Sequence, residues 1–129
     1  MRTATDAYKS VAKEIASPRD LEATLLLKAA ARLQAVSDSW DRDRSDLPEA
    51  LTYNRKLWTV FLGDIASPTN QLPVEIRQNI ANLGVFIMNQ TLSVTSNPRR
   101  EALRSLININ RELAAGLRAK TPASNPVPA

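Results

Sequence analysis

The chain has 129 residues, 43% of them hydrophobic and 23% charged, with aromatics at only 5%. That length and balance predict one globular domain with a single core, and the scarcity of aromatic residues and β-branched runs disfavours a β-rich fold. Cysteine and histidine are absent and glycine occurs only at positions 63, 84 and 116, so disulfides, thiol nucleophiles, the commonest zinc ligands, the usual near-neutral base and a glycine-rich phosphate loop are excluded.

Neither catalysis nor a cofactor nor a metal is therefore expected. No apolar run approaches the ~18 residues of a membrane span. The first residues, Met1 to Asp6, lack the apolar segment of a secretory signal, and a cytoplasmic location is expected. Net charge is +4 and unevenly placed. Residues 1–64 carry ten basic and ten acidic side chains, residues 65–129 seven basic and three acidic. The excess in the second half could attract nucleic acid or an acidic protein surface, or could simply be a solvated helix edge.

In chain order, the apolar period predicts a short helix over residues 4–15, with Tyr8, Val11, Ala12 and Ile15 on one face. Ser17 as cap, Pro18 and Asp20 open a second helix over 18–39. Its stripe holds Leu26, Ala30, Leu33 and Trp40, with Leu25 and Val36 at the edge. The mixed-charge stretch 41–46 reads as a solvated connector. Asp41, Asp43 and Asp46 lack the glycine turn and distal glutamate of a calcium loop, and Arg42 and Arg44 interrupt them. Asp46 and Pro48 open a third helix over 47–66 that buries Leu51, Asn54, Trp58, Phe61 and Ile65. A weaker start at Leu72-Pro73, where Asn70 could cap instead, opens a fourth over 73–92, and Asn97-Pro98 opens a fifth over 98–119. Residues 121–129 hold three prolines and no charge, which predicts a disordered or polyproline-like tail. The expected architecture is an all-α, single-domain helical bundle of about five helices over 1–120, followed by that tail.

Three constellations stand out. In the fifth helix, Leu103, Leu106, Leu113, Ala114 and Leu117 share a face with Asn110, while Arg100, Arg104, Arg111 and Arg118 form a narrow flanking stripe. Asn54 repeats the pattern of an amide amid apolar residues. A buried amide needs partners, since leaving it unpaired costs about 1–3 kcal/mol. Asn54 and Asn110 are therefore expected to be buried and hydrogen-bonded, as a polar pair in the core that fixes helix register, with ligand binding by either amide as the alternative. The fourth helix carries two apolar faces, Ile76, Ile80, Leu83, Ile87 and Val94 on one side and Val74, Ala81, Val85, Met88 and Leu92 on the other. Either that helix is central and both faces are core, or the second face is a groove for a partner helix, with Met88 as an adaptable contact. The arginine stripe could read phosphates, but no aromatic residue interleaves with it as single-stranded RNA binding favours.

Several segments in order resemble the FlaF family of flagellar-biosynthesis regulators of alphaproteobacteria. They are Ser17-Pro-Arg-Asp-Leu-Glu-Ala23 with Leu26 and Ala30-Ala-Arg-Leu33, Tyr53-Asn-Arg-Lys-Leu-Trp-Thr-Val-Phe61, Leu72-Pro73, Asn82-Leu-Gly84, and Leu106-Ile-Asn-Ile-Asn-Arg111 through Ala115-Gly-Leu117. The resemblance spans residues 7–118 and leaves the tail outside. It implies a small cytoplasmic non-enzyme in flagellum assembly, linked to flagellin production and export, acting beside the post-transcriptional regulator FlbT, with some members resembling flagellin-binding chaperones. It carries no catalytic or cofactor residues over. Flagellin is thus the expected partner. Direct contact with flagellin messenger RNA and an adaptor role toward FlbT are the alternatives.

Overall fold

The structure, a computed structural model, describes residues 18–119. Among these residues the chain forms four helices and no strand: α1 (Pro18–Asp38), α2 (Leu47–Ala66), α3 (Val74–Ser96) and α4 (Arg100–Ala119). The fold is all-α as expected, with four helices rather than about five. The additional helix expected over 4–15 and the tail expected over 121–129 lie outside the described residues.

Short connections make successive helices antiparallel. Arg32 of α1 approaches Glu49 near the start of α2, and Arg19 approaches Asp64 near its end. Arg100, Arg111 and Arg118 of α4 meet Ser37, Gln34 and Thr24 of α1 in reverse order. The helices thus pass up, down, up and down around one core, with α4 closing the ring against α1. The α1–α4 interface is the most extensive. Both helices carry buried small residues, Ala23, Ala29 and Ala30 on α1 and Ala102 and Ala114 on α4. Ala23, Ala30, Ala102 and Ala114 share one core cluster with Leu26, Leu33, Leu103 and Leu106, and small side chains of this kind let packed helices approach closely. Between α1 and α2, the Tyr53 ring is flanked by Lys28 and Arg32, with the Arg32 guanidinium carbon 5.1 Å from the ring centroid.

The helix limits follow the proline punctuation, but the capping chemistry differs from expectation. α2 begins at Leu47, yet Asp46 makes no side-chain cap bond and sits in helical backbone itself; its carboxylate acts at most through the helix dipole. Asn70 does not cap α3. Its Nδ2 donates to the Asp64 carbonyl and its Oδ1 accepts from the Leu72 amide, so it knits the α2–α3 loop, and Pro73 precedes the helix. Asn97 ends α3, its amide donating to the Ser93 carbonyl, rather than starting α4. α3 runs a turn past Leu92, which brings Val94 into the core at 0% exposure. Trp40 lies in the turn after α1, half-buried against the core, with the Arg44 guanidinium 4.7 Å above its ring.

The buried alanines set a first test. Ala30→Leu should overpack the core around α1 and lower stability by about 1–3 kcal/mol, read as a fall in thermal midpoint. Ala35→Leu, on the exposed side of the same helix, should change stability by less than about 0.5 kcal/mol.

Candidate functional site

Two features can be built from the residues upward: a polar chain inside the core, and an apolar groove on its outside. The polar chain joins α2 to α4 across the diagonal of the bundle. Trp58, Asn54 and Asn110 are each 0% exposed. The Trp58 Nε1–H donates to Asn110 Oδ1 at 2.9 Å, and Asn110 Nδ2 donates to Asn54 Oδ1 at 2.7 Å. Asn54 Nδ2 has no hydrogen-bond partner in the protein. The Phe61 ring packs edge-on against Trp58 with centroids 5.8 Å apart, so the donor is held by packing as well as by its bond. The participation of Trp58 was not anticipated; a buried indole N–H one turn from a buried amide is the signal that points to it.

The groove lies between α2 and α3. Its volume is about 600 Å³, and Val74, Ala81, Val85 and Met88 form the α3 wall while Leu62, Ile65 and Ala66 form the α2 wall. The two helices close on its floor at Gly84. A Cβ there would lie 2.6 Å from Leu62 Cδ1, so the absent side chain is what lets Leu62 seat against α3. The sequence signal for this was an isolated glycine inside an apolar helical period, which marks close approach.

Of the two readings for the second face of α3, the exposure values favour the outer one. Val74 is 69% exposed, Val85 63% and Leu92 65%. Ala81 and Met88 are half-buried, Met88 against the core. Leu92 continues the stripe along α3 but lines a different hollow of about 330 Å³, beside Leu51 and Pro98. Phe86 and Val60 are further exposed apolar residues that the periodicity did not single out.

The arginine stripe lies along the seam with α1. Arg118 Nη2 donates to Thr24 Oγ1 at 3.0 Å, Arg111 Nη2 to Gln34 Oε1 at 3.4 Å and Arg100 Nε to Ser37 Oγ at 3.4 Å. Arg100 and Arg104 also border a polar hollow with Ser37 and Asn108. Three of the four guanidinium groups thus hydrogen-bond a neighbouring helix, the behaviour of a flank that covers a helix seam. Asp43 accepts from the Ser45 amide at 2.8 Å, and its bonds to Ser45 hold its carboxyl below the usual range. No group of three or more residues suited to a metal occurs among the described residues. None of the described helices is long and apolar enough to cross a membrane.

The described residues form a small antiparallel helical bundle with a sealed polar chain and an open apolar groove. Residues 4–117 match the family model described as flagellar protein FlaF, and the chain belongs to that family. The family is one of flagellar proteins and not a known enzyme family. No curated protein and no solved structure matches the chain.

The polar chain predicts an asymmetry between its two amides. Asn110→Leu strips the partner from Trp58 Nε1 and from Asn54 Oδ1 together, and should cost about 1–3 kcal/mol for each group left unpaired. Asn54→Leu removes one donor that is already unpaired and orphans one other, Asn110 Nδ2. It should cost measurably less. Urea unfolding of the two variants gives the comparison, and equal losses would contradict the bonding pattern.

Proposed function

We propose that this FlaF protein binds flagellin in the cytoplasm, chaperone-like, and couples flagellin synthesis to its export. The observation that supports this reading is the apolar stripe of α3, open to solvent beside a groove long enough for a helix. Along α3 the groove runs from Val74 to Asn89, about 22 Å at ~1.5 Å rise per residue. That is the footprint of roughly four helical turns of a partner. Flagellin ends are amphipathic helical segments with no folded partner before assembly. A segment of that kind would seat anchors at i, i+3, i+4 and i+7 against Val74, Ala81, Val85 and Met88. Leu92 would extend the contact past the groove's end. The half-buried thioether of Met88 can re-pack around the incoming side chains. Binding would shield the flagellin end from self-association until export. Direct recognition of flagellin messenger RNA by Arg100, Arg104, Arg111 and Arg118, and an adaptor role toward FlbT without flagellin contact, are the competing outcomes.

Val85 is the position that separates folding from binding, because it is exposed and touches the groove. Val85→Glu should leave the circular dichroism spectrum unchanged and stability within about 0.5 kcal/mol. Flagellin affinity should fall by at least tenfold, since the carboxylate would be desolvated without a partner in the complex. Met88→Glu is the poorer probe, because Met88 packs against the core and its loss would also weaken the fold. Binding by the wild-type protein should vary little between low and moderate salt. An affinity for RNA that exceeds that for flagellin and drops steeply with salt would overturn the reading. Capture of FlbT alone would do the same.

A further inference from the structure

The docking face extends beyond the hollow that lies above Gly84. We propose that the outer side of α2 and α3 is one continuous track of about six helical turns, and that its occupant is a partner's amphipathic helix with a carboxylate toward each end. This rests on that face being a docking surface, as read above, and adds the length and charge of the helix it takes.

Continuity follows from register. Leu62 meets Gly84 on the floor of the first hollow. Seven residues on along each antiparallel helix stand Arg55 and Thr91, and both line the second hollow of about 330 Å³. A step of seven residues is two turns to within about 20°, so the two hollows open on the same side of the helix pair. On α3 the stripe of Val85, Met88 and Leu92 passes from one hollow into the other. From Val74 to Thr95 the track measures about 32 Å at ~1.5 Å per residue, against about 22 Å for the first hollow alone.

The threonines along this track make little polar demand on an occupant. Thr91 Oγ1 donates to the Ile87 carbonyl at 2.6 Å and Thr95 Oγ1 to the Thr91 carbonyl at 2.8 Å. On α2, Thr59 stands between the hollows, and its Oγ1 donates to the Arg55 carbonyl at 2.9 Å. Each of these hydroxyls is satisfied within its own helix, so an apolar side chain seated over them leaves none of the three donors unpaired.

Charge identifies the occupant. Arg77 lines the first hollow and Arg55 the second, and no aspartate or glutamate lines either. The acidic residues of α2 are turned to α1 instead, Glu49 toward Arg32 and Asp64 toward Arg19. Arg77 Nε donates to the Leu72 carbonyl at 3.1 Å, which anchors one guanidinium, while Arg55 is exposed. Because Arg55 stands level with Thr91, the two cations are offset along α3 by about 21 Å. A helix with carboxylates about fourteen positions apart, flanking an apolar stripe, meets both. A helix with lysines there meets two like charges. A second copy of this chain is a poor occupant, since its matching face would set arginines against arginines. The apolar stripe supplies the affinity. The arginines are worth only a few fold each as exposed pairs, and they fix register and reject basic helices.

The test uses the full chain and synthetic helices. The acidic probe is a leucine-striped peptide of about 22 residues with glutamates about fourteen positions apart. The half-stripe probe has the same length, with the leucines of its far half changed to glutamine. By fluorescence anisotropy the acidic probe should bind at least tenfold tighter than the half-stripe probe. Leu92→Glu, at a position 65% exposed, should leave the circular dichroism spectrum unchanged. It should weaken the acidic probe at least tenfold and the half-stripe probe less than about twofold. Changing the far glutamate of the acidic probe to lysine should weaken it about threefold or more at low salt, and Arg55→Glu in the protein should restore the loss. Equal affinity of the acidic and half-stripe probes, or an equal loss of both on Leu92→Glu, would overturn the continuous track. A lysine probe that binds as tightly as the acidic one, or a loss that Arg55→Glu does not restore, would overturn the acidic occupant. So would sedimentation of the free protein as a dimer that Leu92→Glu dissociates, which would make a second copy the occupant. If the probes bind as expected and flagellin does not, the flagellin reading alone fails.

Discussion

The rest of the structure depends on the hydrogen-bonded chain from Trp58 through Asn110 to Asn54. α2 and α4 are diagonal in the bundle, where leucine packing alone would tolerate a slip by one turn. An amide in that position does not tolerate it, because a slipped helix would leave Trp58 Nε1, both groups of Asn110 and Asn54 Oδ1 buried without partners. The polar chain thus discriminates between registers more than it adds stability. Fixing α2 against α4 also fixes what each carries. α4 presents its arginines to the edge of α1. α2 presents Leu62 to the one residue of α3, Gly84, that can admit it.

That last contact decides which way α3 faces. With Gly84 against Leu62, the stripe of Ile80, Ile87 and Val94 is turned inward and fully buried, and Val74, Val85 and Leu92 are turned to solvent. Three exposed aliphatic side chains on one stripe, with Phe86 nearby, are a cost in solubility that a helix serving only the core would not carry. The same packing spreads α2 and α3 above the glycine, and the groove is the space left over. Function in this fold is therefore proposed to reside in a surface that the core's register produces, with no titrating or nucleophilic group at its centre.

Much of this was legible in the sequence, for identifiable reasons. Helices were marked by long 3.6-residue periods between prolines, and α2 was placed at its observed limits because Pro48 and the Ala66–Ser67 boundary punctuate it from both sides. Asn54 and Asn110 stood out because an amide inside an apolar stripe has few explanations. What could not be read was whatever depended on two elements at once. Asp46 and Asn97 have cap chemistry, but whether a side chain folds back onto its own helix depends on the loop geometry, and Asn70 was claimed by Asp64 from the preceding helix. The groove was half visible. Its α3 wall follows from periodicity, whereas Leu62, Ile65 and Ala66 belong to it only because Gly84 brings α2 close. Leu92 shares the stripe but not the groove, since helical angle alone carries no information about the neighbour at each level. The arginines aligned as expected, yet their hydrogen bonds to Thr24 and Gln34 come from α1, more than 70 residues earlier in the chain.

We propose that a flagellin helix binds the outward face of α3 and the adjoining wall of α2. Backbone amide chemical-shift mapping on the isotopically labelled full chain, titrated with purified flagellin, tests it most directly. Shifts are expected to concentrate in residues 62–66 and 74–92, with the α1–α4 seam and residues 100–118 unmoved. Shifts concentrated at Arg100, Arg104 and Arg111, with Val74, Ala81 and Val85 silent, would contradict it.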